Sequence, residues 1–156
     1  MLIATTLAFL LVPQAAPGAA LEKFFTGVTE GSGTVDIMLS GRHAMRDRTN
    51  GRIGAPGELL LDQVVNEDGK PERKRNWRLL RSGGSQVTGS ISDASGPVKG
   101  EVTGNTLKLR YRLKEGPSVE QTITLDPGGR SATNRMSFWR FGIRVATVES
   151  TIRKVS

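Results

Sequence analysis

The chain of 156 residues contains no cysteine and only one histidine. The lack of cysteine excludes disulfides, a thiol nucleophile, a metal site with cysteine ligands and a lipid anchor on a processed cysteine. Stability must therefore come from a packed core. A chain of this length is typical of one domain, and such domains bury roughly two-thirds of the surface of the unfolded chain.

Long hydrophobic runs are also missing. Residues 2–12 form a mostly apolar run of 11 residues, which is short of the ~20 that a spanning helix needs. Residues 1–20 carry no charged side chain, and Gly18 and Ala20 are small, as a cleavage site requires. We therefore predict a secretory signal at 1–20, a mature domain at 21–156, and export to the periplasm or cell envelope. No Lys or Arg precedes the apolar run, so either the true start lies upstream or the signal is weak. A buried N-terminal strand or helix is the alternative to a signal.

Acidic residues are outnumbered by basic ones. The formal net charge is +7, from 22 Lys and Arg against 15 Asp and Glu. A basic surface favours anionic partners such as phospholipid headgroups, lipopolysaccharide or nucleic acid. The charge alone does not choose among them.

Turn signals occur at regular intervals along the chain. They are Asn50-Gly51, Asp68-Gly69, Gly83-Gly84, Gly96-Pro97, Gly104-Asn105, Gly116-Pro117 and Pro127-Gly128-Gly129. Asn-Gly and Asp-Gly supply the positive φ of tight hairpins, and turns separated by roughly 8–12 residues indicate a sandwich or barrel. No window after residue 30 keeps a helical period, so the domain is predicted to be all-β.

Alternation of apolar and charged residues sets the faces of these strands. Leu107, Leu109, Tyr111 and Leu113 are each followed by a cation, which predicts a strand buried on one face only. We count about ten strands. Closure removes unpaired edges, so a single antiparallel up-and-down barrel of about 8–10 strands is the first prediction and a sandwich the second. Residues 21–25 are predicted to form a short helical turn that plugs one end.

Several segments, in order, resemble domain-of-unknown-function family 3833, small bacterial envelope proteins that are often lipoproteins. The first is residues 21–27, followed by Gly31-Ser32-Gly33. The others are Arg75-Asn76-Trp77, Gly104-Asn105, Tyr111-Arg112-Leu113, Asn134-Arg135 and Phe141-Gly142-Ile143. The resemblance covers essentially the whole mature chain and implies a calycin-like (lipocalin-like) barrel. It implies no biochemical activity.

Candidate ligand-binding residues are those predicted to face the barrel lumen. They are Arg75, Trp77, Leu109, Tyr111, Arg135, Trp139 and Val148. The apolar members would line the wall, and an arginine could meet an anionic headgroup in bidentate fashion or stack on an indole ring. The alternative is a structural role, in which the arginines close one end of the barrel.

The basic strip consists of Lys108, Arg110, Arg112 and Lys114 on the outer face of one strand. It could lie on an anionic membrane surface, where each charge contributes about 1 kcal/mol. The alternative is an ordinary solvated face with acidic partners across the strands. Tyr111 lies on the opposite face, which argues against the interleaved aromatic and basic residues of a nucleic-acid barrel.

The sequence offers little for catalysis or metal binding. His43 would have to serve any Ser–His–Asp triad, and no serine lies in a nucleophile elbow, so His43 is interpreted as a strand-surface residue. No metal-ligand spacing or cofactor motif is present, and no enzymatic site is expected. The favoured hypothesis is a non-catalytic envelope protein that holds an apolar or amphipathic, lipid-like ligand in the barrel. The alternative is a structural or interaction protein with a filled barrel that associates through its surface with anionic membranes or partners.

Overall fold

The computed structural model describes Ala16 and residues 18–156. This part of the chain forms one helix and ten strands. They are α1 (Ala19–Phe25), β1 (Gly27–Ile37), β2 (Gly41–Ile53), β3 (Glu58–Glu67), β4 (Arg73–Arg81), β5 (Gln86–Ile91), β6 (Val98–Thr103), β7 (Thr106–Arg112), β8 (Ser118–Leu125), β9 (Ser131–Arg140) and β10 (Ile143–Lys154).

Most of the predicted signal, residues 1–15 and 17, lies outside the described residues. Within the described part, Gly18 is buried against Arg81 and Val102, and α1 begins at Ala19. Cleavage after Ala20 would therefore remove the first two residues of α1. The signal and its cleavage site remain predictions.

The sheet is a closed barrel. Each strand pairs antiparallel with the next along the chain, and β1 pairs with β10 from Thr29↔Lys154 to Ile37↔Ala146. Closure gives each of these ten strands two neighbours and so removes the exposed edges that promote aggregation. The up-and-down barrel predicted from the turns and the alternation is confirmed, and the sandwich is excluded.

Side chains alternate between lumen and solvent as predicted. In β7, Leu107, Leu109 and Tyr111 are buried, and Lys108 and Arg110 between them are exposed. Short hairpins keep this register around the whole barrel, because a slip of one residue would turn every apolar side chain outward.

One end of the barrel is closed by α1. Leu21, Phe24 and Phe25 are buried in the core, and the rings of the two phenylalanines meet edge to face at 5.0 Å. The Lys154 ammonium holds the helix end by donating a hydrogen bond to the Phe24 carbonyl at 3.0 Å. The predicted plugging turn at 21–25 is confirmed.

The opposite end, here called the mouth, is formed by five hairpin turns. These are residues 38–40, 68–72, 92–97, 113–117 and 141–142. The described residues include no helix that is long and apolar enough to cross a bilayer.

Candidate functional site

The mouth half of the barrel contains a cavity of about 190 Å³. Its apolar wall is formed by inward side chains of several strands, among them Val35, Val65, Met136, Phe138 and Val148. The closed half is filled by the core, and a void of only about 50 Å³ remains there. An engineered protein cavity of about 150 Å³ is enough to bind benzene, so the mouth cavity is large enough for a small organic molecule.

Arg75 is the most buried of the cations in this wall. It lies on the inward face of β4 and is only 8% exposed. Its Nε is 2.8 Å from Asp93 Oδ2, and its guanidinium carbon lies 4.8 Å from the centre of the Trp77 ring. Burial acts to lower the pKa of Arg75, but Tyr111 and Asp93 raise it above its ordinary value, so the guanidinium stays charged.

The ion pair of Arg75 and Asp93 leaves hydrogen-bonding capacity unused. Arg75 Nε and Asp93 Oδ1 are both buried, and neither makes a hydrogen bond within the described residues. Arg75 Nε and Asp93 Oδ2 are at ion-pair distance, but the Nε–H is not aligned for a hydrogen bond to that oxygen. An unsatisfied buried polar atom costs about 1–3 kcal/mol, and a ligand that paired with these atoms would recover part of that free energy.

A layer of polar side chains, the polar floor, separates the mouth cavity from the filled half. It consists of Asp47, Gln63, Gln121 and Asn134, which line both the cavity and the small void. On one side, Trp77 Nε1 donates to Gln63 Oε1 at 3.0 Å, and Gln63 Nε2 donates to Asp47 Oδ1 at 3.3 Å.

The other side of the polar floor is a second hydrogen-bonded chain. The Tyr111 hydroxyl donates to Gln121 Oε1 at 3.1 Å, and Gln121 Nε2 donates to Asn134 Oδ1 at 2.9 Å. Asn134 Nδ2 then donates to Ser150 Oγ at 3.1 Å. Buried polar networks of this kind fix the side chains that they contain, so the bottom of the cavity has a defined shape.

Asp47 is the acidic member of the polar floor. Burial raises the pKa of its carboxyl group, and hydrogen bonds from Gln63 and Thr49 and the charge of Arg75 offset only part of the rise. Because the pKa is raised, Asp47 takes up a proton more readily than an exposed aspartate does.

Charged residues surround Glu67 at the rim of the cavity. Its Oε1 lies 2.6 Å from His43 Nε2 and 3.1 Å from Lys70 Nζ, and Arg73 is 3.6 Å from Oε2. Burial would raise the pKa of Glu67, but these partners lower it below its ordinary value. The interpretation of His43 as a strand-surface residue is wrong. His43 is half-buried and shares a hydrogen bond with Glu67, which lines the cavity.

The structure brings some predicted ligand residues together at the cavity. Arg75, Trp77 and Val148 line it. Tyr111 is buried behind Trp77, with ring centres 5.8 Å apart. Leu109 lies deeper, beside the small void.

Arg135 and Trp139 are not in the lumen. Asn134, Met136 and Phe138 hold the inward positions of β9 and line the cavity, so the residues that alternate with them face outward. The Arg135 side chain is 77% exposed, with Glu149 at 4.0 Å. Trp139 is half-buried in a shallow groove of the outer wall beside Arg110 and Arg112.

The basic strip lies on the outer face, as predicted. Lys108, Arg110 and Arg112 are exposed, and no ion pair of the described residues includes them. Arg110 stands opposite Glu120 on β8. Lys114 lies past the end of β7, and its ammonium donates to the Ser92 carbonyl at 3.0 Å.

Sequence reasoning did not identify the polar floor as a unit. Its only sequence signal is a polar residue at an apolar position of the alternation, and Gln121 gives it plainly, between Val119 and Ile123. Asp47 gives no such signal, because the inward positions of β2 also include His43 and Thr49.

Residues 11–154 match the model of a protein family described as "Protein of unknown function (DUF3833)". No curated protein matches the chain.

Solved structures with a similar fold show very low sequence identity to this chain. An S-type phycobiliprotein lyase, CPES, from Guillardia theta has a TM-score of 0.69 at 6% identity, covering 90% of this chain and 93% of the lyase. Rv2717c from M. tuberculosis has a TM-score of 0.66 at 13% identity, covering 88% of this chain and 98% of the other. EF1p2_mFAP2b, solved bound to DFHBI, has a TM-score of 0.51 at 10% identity, covering 85% and 95%. At such identities the likeness shows the calycin-like fold alone.

Proposed function

The chain belongs to the DUF3833 family, and since that family is described by no activity, we propose from the cavity that it is a non-catalytic binding protein for one small amphipathic molecule. The observation that carries the proposal is a buried arginine, paired with the half-buried Asp93, whose ion pair leaves hydrogen-bonding atoms unused in the wall of a cavity with both apolar and polar lining. Ligand sites commonly combine an apolar lining with a few fixed polar groups in this way.

The chemistry of the lining defines the ligand. An apolar body would contact Val65, Met136 and Phe138, and an oxygen of the ligand would accept a hydrogen bond from Arg75. A hydroxyl or protonated acid group would donate to Asp93 Oδ1. A carboxylic acid with a short hydrocarbon body meets these requirements.

The depth of the cavity limits the ligand's length. The polar floor and the filled closed half leave no room below Gln63 and Gln121 for a long acyl chain. We therefore narrow the lipid-like ligand predicted from the sequence to a compact molecule, or to one end of a longer one whose remainder stays at the mouth.

Two further points bear on the proposal. A barrel of similar fold was solved bound to DFHBI, which supports a small-molecule role for this shape of lumen. Residues 1–20 alone support placing the protein in the cell envelope, and residues 21–156 then make up the exported barrel.

The first test uses octanoic acid and palmitic acid as probes. Trp77 lines the cavity, so in a Trp139→Phe background the fluorescence reports on the lumen alone. We expect octanoic acid to quench Trp77 and to raise Tm, because a ligand that binds only the folded state stabilises it. Native mass spectrometry of protein purified from the cell envelope should show a bound small molecule.

Two variants and a control locate the binding. Arg75→Met should weaken octanoic acid binding about tenfold or more, since a charge-assisted hydrogen bond is lost. Met136→Trp should fill the cavity and block binding. Met136 lines the cavity but is only half-buried, so we expect the larger side chain to be accommodated. Arg135→Met removes an outward arginine and should leave binding unchanged. Absence of quenching and of a Tm shift with both acids, together with empty native spectra, would contradict the proposal.

A further inference from the structure

Two neighbouring hairpins of the mouth end in exposed apolar side chains. Met38 and Leu39 lie at the turn between β1 and β2, and Phe141 and Ile143 lie at the turn between β9 and β10. The Met38 amide donates to the Val145 carbonyl at 2.9 Å, which holds the two hairpins together. We call these four residues the apolar tips. Of the six large hydrophobic side chains exposed in the described residues, four are in this one place.

Leu39 and Phe141 contribute almost nothing to the packing of the barrel. Each is 99% exposed, so each holds a large apolar side chain fully in water. Isolated exposed apolar residues are normal on protein surfaces, but a cluster on adjacent loops indicates an interaction site.

The backbone at the same two residues is strained. Leu39 has φ 68° and Phe141 has φ 50°, and they are the only non-glycine residues with positive φ in the described part of the chain. Leu39 is the third residue of a turn closed by the Ser40 amide and the Ile37 carbonyl, a position that normally takes glycine. Phe141 and Gly142 form a two-residue hairpin loop with positive φ at both positions, where Asn-Gly is the preferred pair.

Each of these residues is therefore unfavourable for the fold in two independent ways. A glycine or an asparagine would remove both the strain and the exposed apolar surface. Strain of this kind, retained at exposed residues, points to a role outside folding.

Arginines flank the apolar tips. The Arg144 side chain makes no ion pair or hydrogen bond within the described residues. Arg140 donates to the Glu115 carbonyl at 2.8 Å, which leaves its charge without an acidic partner, and Arg42 is paired with Asp36 at 3.2 Å. An anionic membrane has negatively charged headgroups above its hydrocarbon interior. The apolar tips and the neighbouring cations without acidic partners are complementary to these two layers.

We propose that the apolar tips insert into the interface of an anionic phospholipid bilayer. Leu39 and Phe141 enter the boundary between headgroups and acyl chains, and Arg140 and Arg144 lie at the level of the lipid phosphates. Aromatic side chains favour this depth. In this orientation the mouth of the barrel faces the membrane, and the basic strip on the outer wall of β7 is not the contact surface.

Vesicle co-sedimentation tests the proposal with the full barrel. Wild-type protein should bind vesicles that contain phosphatidylglycerol and phosphatidylcholine, and bind pure phosphatidylcholine vesicles more weakly. The double variant Leu39→Gly/Phe141→Asn should lose binding about tenfold or more, because both inserted side chains are gone. Its Tm should be unchanged or higher, because the two positive-φ positions are relieved, so lost binding is not unfolding.

The matched control replaces exposed apolar residues at the closed end. Ile53→Asn/Val155→Asn should bind vesicles as the wild type does. Lys108→Gln/Arg110→Gln/Arg112→Gln, which removes most of the basic strip, should retain most binding. The proposal is overturned if wild-type protein does not bind anionic vesicles, if the tip variant binds normally, or if only the strip variant loses binding.

Trp139 gives a depth measurement, since it lies two residues before Phe141 on the outer wall. Brominated phosphatidylcholine, mixed with phosphatidylglycerol, should quench wild-type fluorescence, and Trp139→Phe should abolish the quenching. Quenching that persists in Trp139→Phe would place Trp77 at the membrane and contradict the proposed orientation. Octanoic acid binding in solution should be unaffected in the tip variant, so a failure of this proposal is distinguishable from a failure of the cavity proposal.

Discussion

Asp47 is the carboxylate that the barrel holds in the least favourable surroundings. Burial raises its pKa above the 3.8 of an exposed aspartate. The folded protein therefore binds this proton more tightly than the unfolded chain, and the ionised form lowers stability at every pH above the folded pKa. That cost disappears as the pH falls below 3.8. The ionised Glu67 has the opposite effect on stability. Because its pKa is lowered in the folded protein, it stabilises the fold above pH 4.5, and this contribution is lost on acidification.

We predict that Asp47→Asn raises Tm at neutral pH. Asparagine keeps the oxygen that accepts from Gln63 and removes the buried charge. The difference in Tm between variant and wild type should shrink on acidification and close below pH 3.8, which thermal unfolding followed by circular dichroism over a pH series measures.

Asp36→Asn is the control for the buried carboxylate, because Asp36 is an exposed partner of Arg42 and such pairs contribute little. Its Tm should stay close to that of the wild type at neutral pH. A lower Tm for Asp47→Asn at neutral pH would show that the charge of Asp47 stabilises the polar floor, contrary to the direction argued here.

Single residues also mark the limit of prediction from sequence. Arg75 and Trp77 were placed correctly because β4 has one clear apolar face. In β9 both faces carry an aromatic residue, Phe138 on one and Trp139 on the other, so the alternation does not say which one is inward. The pairing of β9 with β8 and β10 determines which aromatic residue faces the lumen, and this pairing is not visible in the local sequence.

At the scale of elements, the strands were predictable from the sequence, but the contacts of the polar side chains inside the barrel were not. Hairpin turns and alternation are properties of neighbouring residues, so the sequence indicates a meander of about ten strands. One turn signal was wrong, because Asn50-Gly51 lies within β2, where both residues pair with β3. The pairing of Asp93 with Arg75 is different, because these residues come from a loop and a strand and meet only in the closed barrel. The apolar tips were equally hidden, since Phe141-Gly142 is not a usual turn pair and nothing in the local sequence marks Phe141 as exposed.

The helix α1 is the element on which the closed end depends. Phe24 is 1% exposed and packs within the core beneath the polar floor. We predict that Phe24→Ala lowers the free energy of unfolding by about 3–5 kcal/mol, the usual cost of removing a buried phenylalanine ring. Urea denaturation measures the loss.

Lys23→Ala serves as the control for α1, because Lys23 is exposed on the same helix. It should change stability by no more than about 0.5 kcal/mol. If Phe24→Ala had an equally small effect, α1 would be a peripheral segment and the closed end would be held by the strands alone.

For the molecule as a whole, closure depends on the contact between β1 and β10, the first and last strands. Gly33 lies there opposite Ser150, and a Cβ at Gly33 would come within 2.0 Å of the Glu149 carbonyl oxygen and 2.5 Å of Ser150 Cα. Both are backbone atoms of the ladder, so no side-chain rotation relieves the clash. Glycine at this position is what allows the two strands to approach closely enough to pair.

Gly33→Ala should therefore separate β1 from β10 and open the barrel along that one line. We predict a loss of about 1–3 kcal/mol in the free energy of unfolding, the usual range for overpacking, and faster hydrogen exchange at amides of β1 and β10. Amides between β5 and β6, on the far side of the barrel, should lose protection only through the change in global stability. Ser32→Ala, at an exposed neighbouring position, should leave both quantities unchanged. If exchange in Gly33→Ala rose equally in all strands, the barrel would open as one unit, and the pairing of the two end strands would not be its weakest line.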